Sequence, residues 1–354
     1  MTTPSGWAGL VFCSVLCFAA DAGTSRTKQV EAIFAPYTGD VPGASVMVIR
    51  DGAVVYKNAF GLANLEDRIP ASTATNYRLA SVTKQFTAMA IMILSDRKLL
   101  SYDDPLTKFF PVFPPYGKQI TIRRLLTHTS GMLAYEDLIP PGTTLALKDR
   151  DVLNLLAGQD HTYFAPGTEY RYSNSGYAHL ALIVETVAGM PFARFLQKNM
   201  FEPLHMNDSV AYEPGISTVA RRAFGYTVKG KSFEETDQSL TSSVLGDGGV
   251  YSSVEDLFKW DQALYGEKLV RTSSLDEAFT PARLNDGRAT RYGFGWEIGE
   301  YRGLRTVRHS GHTVGFSTAV ARFPAKRFTV IVLVNRSDID TLALADQIAD
   351  MYLF

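Results

Sequence analysis

The chain has 354 residues, 46% of them hydrophobic and 20% charged, with 35 basic against 36 acidic side chains and a formal net charge of −1. That is enough chain to bury a large core without a metal or a disulfide, and the even charge balance, with no block of one sign, argues against the concentrated basic face that nucleic-acid binding requires. Both cysteines, Cys13 and Cys17, fall in one stretch near the start, so the rest of the chain excludes structural disulfides, thiolate nucleophiles and cysteine zinc sites.

Residues 7–20 form an apolar run, short for a membrane span and suited to the core of a signal peptide. Ala20-Asp21-Ala22 then puts small residues where a signal peptidase reads, although no Lys or Arg precedes the run. The expectation is a signal peptide over 1–22, a periplasmic or secreted protein, and a mature chain over 23–354 with no stable membrane span. A helix follows over about 29–37. Two strand-like runs, Ala44–Arg50 and Ala53–Phe60, flank Asp51-Gly52, a strong hairpin signal. The middle of the chain reads as helical, with stretches at 81–95, 150–157, 177–188 and 254–263 separated by Pro/Gly-rich turns. Strand patterns return at 292–298, 305–309, 315–323 and 328–335, and a helix over 342–352 closes the chain.

Strands at both ends with a helical insertion between them imply an α+β fold. One antiparallel sheet is built from both chain ends and flanked by terminal helices, with a mostly helical lobe inserted. The sheet lobe takes 26–70 and 288–354, and the helical lobe 71–287. A cleft belongs where the two meet.

Three segments carry chemistry. Ser81 and Lys84 stand three apart at the start of the apolar stretch Phe86 to Leu94, so on a helix they share a face. There the dipole favours a developing oxyanion, and burial lowers the pKa of the lysine so that a neutral amine takes the serine proton. Alone, this spacing arises by chance and is read more simply as a cap and a surface lysine. The second segment holds Tyr172 and Asn174, two residues apart after the Pro166-Gly167 turn. In an extended loop the two point the same way. A phenol beside an ammonium has its pKa lowered and relays protons, and an amide orients a substrate. The third, Arg308 to Phe316, holds His309, Gly311 and His312 at the end of a strand, with the His312 amide as second oxyanion donor beside that of Ser81.

In this order, Ser-x-x-Lys, Tyr-x-Asn and His-x-Gly resemble the signatures of the serine β-lactamase and penicillin-binding family. Leu125 to Gly131, Phe201 to Met206, Gly248 to Ser253 and Tyr292 to Trp296 add secondary likenesses. The resemblance implies a β-lactamase/transpeptidase-like fold. It implies Ser81 as nucleophile, Lys84 as base, Tyr172 as proton carrier to the leaving group, and Asn174, His309, Gly311 and His312 as substrate-binding residues. No cofactor or metal is implied. The substrate is a small molecule or peptide with an ester or amide carbonyl. His309 stands where many β-lactamases carry lysine, which moves weight toward the D-alanyl-D-alanine carboxypeptidase, D-aminopeptidase and esterase branches and away from efficient β-lactam hydrolysis. The rivals are a weak β-lactamase and a non-catalytic penicillin-binding sensor. Tyr135, Tyr251, Trp296 and Phe316 are candidates for an acyl pocket, with core packing as the alternative. The oligomeric state and the natural substrate are not legible in the sequence.

Overall fold

A computed structural model describes Met1 and residues 25–354. Apart from Met1, the expected signal peptide lies outside the described residues. Six strands form one antiparallel sheet: β1 (Ala44–Arg50), β2 (Ala53–Phe60), β3 (Glu297–Tyr301), β4 (Leu304–Thr313), β5 (Phe316–Phe323) and β6 (Phe328–Val334), in spatial order β3-β4-β5-β6-β1-β2. Asp51 and Gly52 join β1 to β2 at φ of 52° and 80°, the left-handed pair that a tight two-residue hairpin demands.

The two ends of the chain meet where β1 pairs with β6, Ala44 opposite Val334 and Arg50 opposite Phe328. Both strands are nearly unbroken apolar runs because both faces of the sheet are covered. Val46, Val48, Val330 and Val332 face the terminal helices, while Met47, Ile49, Ile331 and Leu333 face the helical region. The terminal helices are α1 (25–33) and α6 (Thr341–Leu353), and Val30, Phe34, Ala345 and Ile348 join the same apolar cluster. Asp340 starts α6 by accepting from the Ala343 amide at 3.0 Å, an N-cap.

The longest helices of the inserted region are α2 (Lys84–Asp96), α3 (Asp149–Ala157), α4 (Asn174–Ala188) and α5 (Val254–Ala263). Every residue of α2 from Lys84 to Leu94 is buried, as expected of a helix that is apolar all round and runs through the core. α5 is fastened to the sheet by an ion pair. Arg322 on β5 donates to Asp261 on α5 at 2.9 Å, Thr329 on β6 donates to the same carboxylate at 2.8 Å, and both charged side chains are almost fully buried. Tyr265, Phe279 and Trp296 pack their rings around the Arg322 guanidinium.

The strand expected over 292–298 starts only at Glu297. Its glycines interrupt it: a β-carbon on Gly293 would overlap the Ala278 carbonyl, and Gly295, at φ +77°, lies against the Lys84 carbonyl. The segment thus packs on the start of α2 instead of extending the ladder. Tyr135, Tyr251, Trp296 and Phe316 are all buried, so the alternative reading of core packing applies to them and the acyl-pocket reading does not.

Removing one partner of a buried pair strands the other. Asp261→Ala is expected to lower unfolding stability by about 3–5 kcal/mol, measured as a shift in the urea midpoint at unchanged slope.

Candidate active site

Ser81 lies in a short 3-10 turn, Ala80–Thr83, that runs directly into α2. The residue before it, Ala80, has φ +49°, a left-handed conformation that a residue with a β-carbon rarely takes and that stores of order 1–3 kcal/mol of strain. Gly311 of β4 packs against this turn. A β-carbon there would overlap the Leu79 carbonyl oxygen and the Thr318 hydroxyl, so glycine is what lets the strand lie alongside Ser81. Thr318 itself donates to the Leu79 carbonyl at 2.7 Å.

Lys84, one turn on, is fully buried. Its Nζ lies 3.1 Å from Ser81 Oγ, 2.8 Å from Asn174 Oδ1 and 2.9 Å from the main-chain oxygen of Asp247. The last two oxygens only accept. They therefore take two N–H bonds, and a neutral amine is left with one lone pair in the third direction, toward Ser81. Burial lowers the Lys84 pKa to about 8, against the opposing pull of Asp247 and Glu136. Two contacts fix the acceptors. Glu136 accepts from Asn174 Nδ2 at 2.7 Å, which sets the amide with its oxygen toward Lys84. Asp247 sits in the turn Leu245–Gly248, where Tyr135 donates to its carboxylate at 3.2 Å.

Asn174 is the first residue of α4, not part of an extended loop. Ser173 caps the helix by accepting from the Gly176 amide at 3.3 Å, so the helix begins three residues before the expected 177. Tyr172 precedes the cap, and its ring lies 4.9 Å from Lys84 Nζ. His128 brackets it: its carbonyl accepts from the Arg171 amide at 2.9 Å, its Nδ1 accepts from the Ser173 amide at 3.1 Å, and its ring lies 4.2 Å from that of Tyr172. The expected lowering of the Tyr172 pKa is corrected. The dense surroundings push the phenol well above its ordinary value, and the neighbouring Ser81 hydroxyl pulls back only part of this. With 38% of its surface still open, solvent moderates the rise. At neutral pH the group is a protonated donor.

His309 is corrected as well. It is 2% exposed. Its Nδ1 donates to the Ser310 carbonyl at 2.6 Å, which leaves Nε2 to accept from Tyr292 at 2.7 Å. Burial, with the nearby Lys84 charge, lowers its pKa to about 3. It is a neutral ring behind the site, with neither nitrogen free for substrate. His312 is exposed, and its Nδ1 lies 3.2 Å from the Ser317 hydroxyl.

The structure thus brings Ser81, Lys84, Tyr172, Asn174 and the Gly311 strand to one place, and sets His309 one layer deeper. The sequence reading missed Glu136 and Asp247, took Tyr135 as an acyl-pocket candidate, and named Tyr292 only as the start of a family-like stretch. Asp247 borders the Gly248 stretch and Tyr292 opens the Gly293 one, which was a usable signal. Glu136 carried none beyond being acidic. Among the described residues, no cluster of His, Cys, Asp or Glu is arranged to hold a metal. What this arrangement can do is deprotonate a hydroxyl held beside an amine and protonate a leaving group from a phenol.

The family model described as beta-lactamase matches residues 30–351. Penicillin-binding protein 4* of Bacillus subtilis is 34% identical over 310 residues, covering 83% of this chain and 68% of that protein. Protein flp of Staphylococcus aureus is 28% identical over 309 residues, 84% of this chain and 60% of the relative, so the match spans less than two thirds of flp. Among solved structures, the octameric penicillin-binding protein homologue from Pyrococcus abyssi superposes with a TM-score of 0.76 at 28% identity, over 96% of this chain and 78% of that one.

Gly311→Ala is expected to push β4 off the Ser81 turn. Turnover of a short nitrophenyl ester should fall by about 100-fold, the scale of a one-ångström misplacement, while circular dichroism shows an intact fold.

Proposed function

This chain belongs to the beta-lactamase family, whose members are serine hydrolases, and we propose that it cleaves an ester or amide through an acyl-enzyme on Ser81 with Lys84 as the base. The observation that carries this reading is the coordination of Lys84 Nζ: two acceptor-only oxygens lie within 2.9 Å of it and Ser81 Oγ lies 3.1 Å away in the third direction, where the neutral amine has its lone pair.

In the first step Ser81 Oγ bonds to the substrate carbonyl carbon and its proton passes to Lys84 Nζ. The carbonyl oxygen becomes an oxyanion held by the amides of Ser81 and His312. Tyr172 gives its proton to the departing oxygen or nitrogen as the carbonyl re-forms, and the Lys84 ammonium beside the ring restores the phenol. Water then adds to the acyl carbon while its proton moves to the same amine. Collapse breaks the bond to Ser81 Oγ, which regains a proton, and the acid leaves. No cofactor enters the cycle.

Side-chain charge supports one substrate class over the others. A β-lactam or a peptide ending in D-alanine brings a carboxylate. Among the described residues, Lys84 alone brings a cationic nitrogen into hydrogen-bond or ring contact with Ser81, Tyr172 or Asn174, and that nitrogen is the base. His309 is neutral and buried, while the exposed Glu136 adds negative charge beside Asn174. Neutral or amine-bearing esters and amides therefore fit better than carboxylates, which supports carboxylesterase or D-amino-acid amide hydrolysis over β-lactam hydrolysis and the carboxypeptidase reading.

A panel of nitrophenyl acetate, a D-amino-acid amide, a D-alanyl-D-alanine peptide and nitrocefin tests this. Ester or amide turnover is expected to exceed that of the two carboxylates by at least about 100-fold, and Ser81→Ala to lose at least about 10⁴-fold with its fold intact. Preferential nitrocefin hydrolysis would overturn the substrate assignment, and surviving turnover in Ser81→Ala the mechanism. The pH profile follows from the base: neutral Lys84 is the active form, so kcat/KM should rise with pH and level off above about 8.

A further inference from the structure

We propose that Asp149 is a positioning residue for this acyl transfer, acting through the turn Leu245–Gly248 on the amine of Lys84; the proposal rests on the reading of Lys84 as the base. Asp149 opens α3 and touches none of Ser81, Lys84 or Tyr172. It is 7% exposed. Its two oxygens accept separately from two successive main-chain amides, Oδ2 from Leu245 and Oδ1 from Gly246, each at 2.9 Å.

The far side of that turn is what grips the segment carrying the nucleophile. The Gly246 carbonyl accepts from the Thr87 hydroxyl at 2.7 Å, the Asp247 carbonyl from Lys84 Nζ at 2.9 Å, and the Gly248 carbonyl from Arg78 Nε at 3.1 Å. Just beyond, the Val250 amide donates to Thr83 Oγ1 at 3.1 Å and the Val250 carbonyl accepts from the Leu79 amide at 2.8 Å. The turn is therefore a template for residues 78–87, and Asp149 holds it from behind. Gly246 fits closely, since a β-carbon there would overlap the Tyr177 carbonyl.

The grip requires an ionised carboxylate. Two N–H groups converge on it, one per oxygen. A carboxamide would turn a donor toward one of those amides and lose that bond, and a protonated acid would weaken one, because its hydroxyl oxygen is the poorer acceptor. Burial, reinforced by the charge of Asp247, pushes the Asp149 pKa up to about 7 although both amide bonds pull it down. Lys148, Arg150, Glu185, Tyr212 and Glu213 line with it a cavity of about 140 Å³. Among the described residues, none of these donates to its carboxylate. As pH falls through about 7, Asp149 takes up a proton, one of its amide bonds weakens, and the carbonyl that orients Lys84 loosens.

The test uses the full chain and a short nitrophenyl ester, with fluorophosphonate labelling of Ser81 as a second readout. Asp149→Asn should lower kcat and the labelling rate by about 10- to 100-fold, leave KM within about threefold, and remove one proton from the acid limb of the log kcat profile. Asp149→Glu should recover part of the rate. Lys84→Met is run in parallel: activity surviving there sinks the reading of the base, whereas an inactive Lys84→Met beside a folded Asp149→Asn of wild-type kcat and pH slope sinks Asp149 alone. If Asp149→Asn does not fold, Asp149→Ser, whose hydroxyl caps one amide, is read in the same assays. If neither variant folds, the residue is structural only and the proposal falls.

Discussion

The site depends on the hydrogen-bond valence of a single buried nitrogen. An ammonium has three N–H bonds and no lone pair; a neutral amine has two and one. At Lys84 the protein supplies two oxygens that cannot donate, one from an amide at the head of α4 and one from the main chain of a turn, and leaves the third direction to a hydroxyl. Burial then favours the uncharged form. The neutral His309 and the protonated Tyr172 fit the same scheme, because each is kept uncharged by its surroundings. Lys84 is thereby the one group of the three whose charge changes near neutral pH, and the fixed dipoles around the site can stabilise charge that develops as bonds change.

The geometry that delivers these groups is a set of close backbone approaches. Gly311 lets β4 lie on the Leu79-Ala80 peptide, Gly295 lets the segment before β3 lie on the Lys84 carbonyl, and Gly246 lets the Asp247 turn lie on α4. Ala80 takes on the remaining strain at φ +49°. The hydrogen bonds of Leu79, Thr83 and Thr318 surround that residue on several sides, which is how a strained conformation persists.

Much of this was legible in the sequence, and the part that was not has a common cause. The hairpin, α5, the β5–β6 pair and the terminal helix follow from apolar periodicity and turn residues, and lie within a few residues of where the pattern puts them. The Ser-x-x-Lys spacing carried the amine to the hydroxyl because both lie on one local element. His309 was misread because its exposure depends on Tyr292, seventeen residues away, which faces it across the core. Tyr172 was misread because its pKa reflects the protein packed around it and not the one charge beside it. Glu136, Asp149 and Asp247 act by side-chain and main-chain contacts between segments distant in sequence, and no local pattern encodes such contacts. The strand expected at 292–298 failed for the same reason: its glycines answer to α2, not to the ladder.

The pairing of β1 with β6 joins residue 44 to residue 334. Closing so long a loop is slow relative to forming local contacts. During synthesis residues 81 and 84 are made well before β4 (Leu304–Thr313), which packs against their turn, and the sheet that seats β4 cannot form before then. A nascent or truncated chain thus holds Ser81 without the strand that packs against its turn. The order of synthesis thus leaves the Ser81 turn without its β4 neighbour until β4 and the strands that seat it have been made.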